Sequence, residues 1–133
     1  MSYKVGANYC KDFHITRGLI ESFCSVTGDN NPLHADDQYA KSMSFDKIIA
    51  PGLLLGGLIA SVIGNDFPGS GTIYISQNLK FRQPAYVDET ISVRVKIIEI
   101  KRNNWLVLNT ECVNQSNKII LTGEAVVVNN AIK

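Results

Sequence analysis

Clustered charge, paired cysteines and long unbroken apolar runs are all missing from this 133-residue chain. Its 13 Lys and Arg and 12 Asp and Glu are scattered, for a net charge of +1. Gripping a phosphate backbone needs grouped basic residues, so no nucleic-acid partner is expected. The longest apolar run, Leu53 to Ile63, is broken by Gly56 and Gly57. It falls short of the roughly 20 residues that cross a bilayer, so no membrane insertion is expected. Cys10, Cys24 and Cys112 are an odd set without CxxC spacing, which implies neither a disulfide framework nor a zinc site. No metal is expected. The opening residues, Met1 to Gly6, lack an apolar core of signal-peptide length. Together with the cysteines, that points to the reducing cytoplasm.

What is there is ordinary globular material: 45% apolar and 19% charged residues, expected to form one domain over 1–133. Cys10 to Ile15 suits a short strand. Thr16 is placed to cap a helix from Arg17 to Val26 with Leu19, Ile20, Phe23 and Cys24 as its apolar stripe, and Gly28 ends it. Asp36 caps a short helix through Tyr39 and Ala40. After a loop from Met43 to Ala50, Pro51 has the geometry of a helix start. Leu53 to Ile63 is apolar all round, which predicts a buried helix, stopped by Gly64, Asn65, Pro68 and Gly69.

From Thr72 the period becomes two. Ile73, Ile75, Leu79 and Phe81 alternate with polar residues, then Ile91, Val93, Val95 and Ile97. Leu106, Leu108 and Cys112 mark a third strand of this series, and Ile119, Leu121, Ala125 and Val127 a fourth. Asn103-Asn104 and Gln115-Ser116-Asn117 are the hairpin turns. Four antiparallel strands after a fully apolar helix predict an α+β fold in which the sheet curls around that helix.

The chemistry concentrates in Gly28-Asp29-Asn30-Asn31-Pro32-Leu33-His34. Pro32 pushes Asn31 towards extended geometry, so Asp29 and His34 lie on a bent segment from which both can turn into one cavity. A carboxylate beside an imidazole is a general acid/base pair near neutral pH. Taken singly, Asp29 also reads as a turn carboxylate and His34 as a structural histidine. Gly52 falls where the first turn of a helix leaves N–H groups unpaired under the positive end of its dipole. Gly56, Gly57 and Ala60 suit close helix–sheet packing. Yet Gly52, Gly56, Ala60 and Ile63 share one face by their spacing, a groove able to hold an acyl chain. Gln77 interrupts an apolar strand face, so it either satisfies a buried backbone group or lines the site. Lys80, Arg82, Lys101 and Arg102 read as solvated surface, or as contacts for phosphate groups.

Asp29-x-Asn31-Pro32-x-His34, Tyr39-Ala40, Pro51-Gly52-Leu53, Pro68-Gly69-x-Gly71, Tyr74-x-x-Gln77 and Phe81-x-x-Pro84 occur in the order found in the MaoC-like (R)-specific enoyl-CoA hydratases. The chain resembles that family, also called hydratase-2, from about residue 12 to 128. The resemblance implies a hot-dog fold with Asp29 and His34 as the catalytic dyad. It also implies that Asn31 helps fix the reacting water and that the Gly52 N–H contacts the thioester oxygen. Two departures stand out: Pro51 where many members carry His, and Val87-Asp88-Glu89 where Gly-Asp is common.

The implied activity is reversible hydration of trans-2-enoyl-CoA to (R)-3-hydroxyacyl-CoA, without a cofactor, since coenzyme A is part of the substrate. A homodimer, or a dimer of dimers, is implied as well. Dehydration of 3-hydroxyacyl groups on acyl carrier protein is the nearest alternative. A thioesterase and a non-catalytic acyl-CoA-binding module are others on the same fold. Residue types leave open whether Asp29 or His34 activates water, because such a pair titrates as a unit.

Overall fold

The computed structural model describes residues 3–130. Met1, Ser2 and residues 131–133 of the expected domain lie outside them. β1 (Asn8–His14) leads into α1 (Arg17–Thr27), a 3-10 turn at Pro32–His34, α2 (Asp37–Ser42) and α3 (Gly52–Asn65). β2 (Ile73–Phe81), β3 (Thr90–Ile100), β4 (Leu106–Asn114) and β5 (Ile119–Val128) follow. All five strands form one antiparallel sheet ordered β1-β3-β4-β5-β2. β1 and β2 are its edges.

Local chemistry sets the helix ends. Thr16 Oγ1 accepts from the Leu19 N–H at 3.0 Å, and Gly28 closes α1 in the left-handed region at φ 76°. Asp36 Oδ1 accepts from the Gln38 and Tyr39 N–H groups to start α2. Such caps each contribute about 1 kcal/mol. The hairpins after β3 and β4 turn through positive φ at Asn104 and Asn117, where the two asparagine-containing turns were expected.

The core lies between α3 and the concave face of the sheet. Leu55, Ile59, Val62 and Ile63 of α3 are buried with Ile91, Val93, Val95 and Ile97 of β3 and with Leu108, Leu121 and Val127. Each such side chain contributes roughly 1.5–3 kcal/mol on burial. The helix is not enclosed on every side, however. Leu53 is 64% exposed, and nothing lies within 4 Å of where a Cβ on Gly57 would be. One flank of α3, beside β2, is open.

Three strands depart from simple alternation; in β3 the pairing with β4 shifts between Ile97 and Glu99, which leaves Ile98 as the extra residue. In β2 the pairing with β5 shifts between Tyr74 and Ser76, so Ile75 is an extra residue with no partner opposite. Such a bulge reverses which side chains face in. Before it, Tyr74 pairs with buried Val127; after it, Gln77 and Phe81 pair with buried Ala125 and Leu121. Ile73 and Ile75 therefore point outward, contrary to the period-two reading. In β5, Cys112 pairs with Leu121 but Val113 with Ile119. Ile120 is thus the extra residue and is buried, while Ile119 is 45% exposed rather than inward.

Candidate active site

Asp29 is the first residue beyond the cap of α1, and its N–H, like that of Gly28, donates to the Cys24 carbonyl. Its Oδ1 accepts from the Asn31 N–H at 3.0 Å, the short-range bond that makes Asp a turn former. Asn31 repeats the device: its Oδ1 accepts from the Leu33 N–H at 3.1 Å and caps the 3-10 turn. Pro32 opens that turn and His34 closes it. Each polar residue of the motif thus shapes the backbone that carries the next.

The turn is held to the segment before α3 by two bonds. The Ile49 N–H donates to the Leu33 carbonyl, and His34 Nδ1 lies 2.8 Å from the Ile49 carbonyl oxygen. A carbonyl only accepts, so in the neutral ring Nδ1 carries the hydrogen and Nε2 presents a lone pair. His34 Nε2 and Asp29 Oδ2 are 3.7 Å apart, with side chains 11% and 35% exposed. That separation exceeds a hydrogen bond. The two atoms face a common space rather than each other's proton.

A cavity of about 320 Å³ brings Asp29, His34 and Gly52 together, closed by Phe23, Pro51 and Leu53. Pro51 gives α3 no side-chain cap. The uncapped start of α3, where the first N–H groups lack intrahelical partners and the dipole is positive, therefore borders the cavity lined by Asp29 and His34. A second cavity of about 480 Å³ shares His34, Gly52 and Leu53 and is walled by Phe45, Ile49, Leu55, Phe81, Pro84 and Ile120. Most of these walls carried no signal in the sequence. Only Phe81 and Pro84 belonged to a motif.

The expected acyl groove is altered. Gly56, Ala60 and Gln77 do line one cavity, of about 340 Å³, with Gly57, Tyr74 and Leu79. Gly52 is not part of it. Phe81 sits on Gly52, and a Cβ on Gly56 would lie 3.0 Å from Leu79 Cδ1, so these two glycines serve close packing, whereas Gly57, with nothing within 4 Å, does not. Three cavities share Leu53 as a lining residue, in place of one channel running along the helix. Ile63 must be withdrawn from the groove, because it is 1% exposed and part of the core.

Gln77 lines the cavity of Gly56 and Ala60, and the buried group it satisfies is a side chain rather than the backbone. Its Nε2 donates to the Asn78 carbonyl at 2.9 Å and to Oγ1 of the fully buried Thr110 at 3.0 Å. Its Oε1 accepts from the Tyr74 hydroxyl at 3.0 Å. Burial pushes the Tyr74 phenol up to about 12, so that hydroxyl keeps the proton it donates. The basic residues do not converge. Arg82 follows Phe81 at one end of the sheet and bonds Thr122, whereas Lys101 and Arg102 follow Ile100 at the other.

Comparison with known proteins agrees with this architecture. A family model described as MaoC like domain matches residues 4–120. The 3-hydroxybutyryl-CoA dehydratase of Methylorubrum extorquens is 34% identical over 125 residues, covering 93% of this chain and 79% of that protein. The (R)-specific enoyl-CoA hydratase of Aeromonas caviae is 32% identical over 109 residues, 81% of each chain. The solved structure of the R-hydratase PhaJ1 from Pseudomonas aeruginosa superimposes with a TM-score of 0.92 at 33% identity, over 96% of this chain and 82% of that one. The α+β hot-dog fold is shared, and the chain belongs to the MaoC-like domain family.

Proposed function

We propose that this protein catalyses the reversible, (R)-specific hydration of trans-2-enoyl-CoA to (R)-3-hydroxyacyl-CoA. The observation that carries the proposal is the meeting of Asp29, His34 and the start of α3 in one cavity. Hydration adds a hydroxyl to C3 and a proton to C2 of the enoyl thioester, with negative charge building on the thioester oxygen in between. With that oxygen at the Gly52 N–H, the charge develops against the helix terminus. One such donor commonly contributes about 3 kcal/mol.

A water between Asp29 Oδ2 and His34 Nε2 can give up one proton and attack C3, and the proton is returned to C2 from the same side. The addition is therefore syn. His34 Nε2, held as an acceptor by the Ile49 carbonyl, is suited to take the proton. Asn31 has its Oδ1 engaged with Leu33, which leaves its amide N–H groups to orient that water. No cofactor takes part in the reaction so written. Beyond the thioester, the acyl chain passes Leu53 into the cavity lined by Gly56, Ala60 and Gln77.

The working form we propose is a homodimer joined through β2. That strand is a sheet edge with a row of main-chain groups available for pairing. Ile73 and Ile75 on that strand and Leu53 on the open flank of α3 are exposed, apolar surface that a second copy would cover. Cytoplasmic location is part of the same proposal and is supported by three free cysteines. Among the described residues, no helix is long and apolar enough to cross a membrane.

Product stereochemistry tests the function. Crotonyl-CoA and water should give a 3-hydroxy thioester that an (S)-specific dehydrogenase does not oxidise. Ready oxidation would overturn the (R) assignment, and release of free coenzyme A would mark a thioesterase instead. Matched carrier-protein thioesters, run alongside, show which carrier is preferred.

A further inference from the structure

Phe81 is 53% exposed, yet its ring is pressed onto the backbone of Gly52. A Cβ built on Gly52 would fall 2.6 Å from Cε1 and 2.8 Å from Cδ1 of that ring, closer than real Cβ contacts come. Gly52 is an α-helical residue without positive φ, so its backbone does not demand glycine. Nor does the oxyanion contact, since alanine would supply the same N–H. What position 52 has to lack is a side chain, and the reason is Phe81.

The strand places the ring there. Phe81 ends β2 on the concave side, paired with Leu121, and walls the cavity that also contains His34, Gly52 and Ile49. An apolar ring at the polar start of a helix keeps solvent from the N–H groups. A hydrogen bond to a developing charge is stronger when water is excluded from it. The same ring limits where a planar thioester can lie.

We propose that Phe81 is a positioning residue for the reaction: seated on Gly52, its ring holds the substrate thioester against the first N–H of α3 and keeps water off the oxygen. This rests on reading the chain as an enoyl-thioester hydratase. A ring with only a structural role would affect melting temperature and leave turnover alone. A positioning role shows in kcat, because the contact it protects strengthens as charge develops.

The experiment compares crotonyl-CoA hydration and melting temperature for the wild type, Phe81→Leu, Phe81→Ala, Gly52→Ala and the double variant Gly52→Ala/Phe81→Leu. Phe81→Ala should lower kcat by about tenfold or more, with a smaller change in KM. Gly52→Ala, which keeps the N–H but displaces the ring, should lower it by about 10²-fold, the scale of a 1 Å misplacement. The double variant should be more active than Gly52→Ala alone, since the smaller side chain relieves the collision. Wild-type kcat in Phe81→Ala, or losses that simply multiply in the double variant, would overturn the role of Phe81. An inactive wild type would instead overturn the functional reading itself.

Discussion

His34 Nδ1 lies 2.8 Å from the carbonyl oxygen of Ile49, and this contact decides which ring nitrogen can accept a proton from water. Neutral His34 should therefore be the Nδ1–H tautomer. With only two histidines in the chain, ¹⁵N spectra of histidine-labelled protein, assigned with His14→Gln, can check it. An Nε2–H tautomer would contradict the assignment of Nε2 as the base.

Asp37 should make part of the stability acid-sensitive. Its carboxyl is held below its ordinary value of 3.8, first by the Ile48 N–H and then by Arg17. Oδ1 accepts from Ile48 at 2.9 Å, and Oδ2 lies 3.2 Å from the Arg17 guanidinium. Because the folded value is the lower one, the contribution is present above about pH 4 and lost as pH falls through the folded value. Asp37→Asn should lower the melting temperature at pH 7 and flatten its fall in acid. An unchanged slope would remove Asp37 from this role.

The bridge from Gln77 to Thr110 crosses β5 at Gly123. A Cβ on Gly123 would collide with the Asn78 carbonyl oxygen and come within 3.0 Å of Gln77 Nε2. Gly123→Ala should therefore destabilise by about 1–3 kcal/mol through overpacking. Thr110→Val should cost about 0.5–1.5 kcal/mol by removing the acceptor of one Gln77 amide N–H, while Nε2 keeps its bond to the Asn78 carbonyl. Denaturant titration measures both, and neutral values would contradict the bridge.

What was legible in the sequence was local chemistry. Thr16, Gly28 and Asp36 mark helix ends through bonds to residues two to four positions away, so their identity was enough to place them. The Asp29–His34 turn was readable for the same reason. Ile49 acts through its backbone carbonyl, which has no residue signature. The bulges at Ile75 and Ile120 depend on cross-strand pairing, which alternation alone does not reveal, so a period of two puts Ile73, Ile75 and Ile119 on the wrong face. Gly52 and Gly56 looked like parts of one groove because helical spacing aligns them. Phe81 and Leu79, more than twenty positions further on, decide what covers them.

Volume at Ala60 and at Ile63 should have separable effects. Ala60→Leu narrows the cavity beyond Leu53, and should lower kcat/KM for long enoyl chains relative to a four-carbon chain by roughly 1–3 kcal/mol. Ile63→Val trims the core and should cost about 0.5–1.5 kcal/mol of stability with that ratio unchanged. If Ile63→Val shifts chain-length preference while Ala60→Leu does not, the assignment of the two residues is reversed.

The account turns on Asp29 and His34 acting as one unit, and enoyl thioester absorbance during hydration of crotonyl-CoA tests this most directly. Asp29→Asn and His34→Ala should each lose about 10²–10⁴-fold in kcat while staying folded. The double variant should fall far less than the product of the two losses. Near wild-type turnover in either folded single variant would contradict the account.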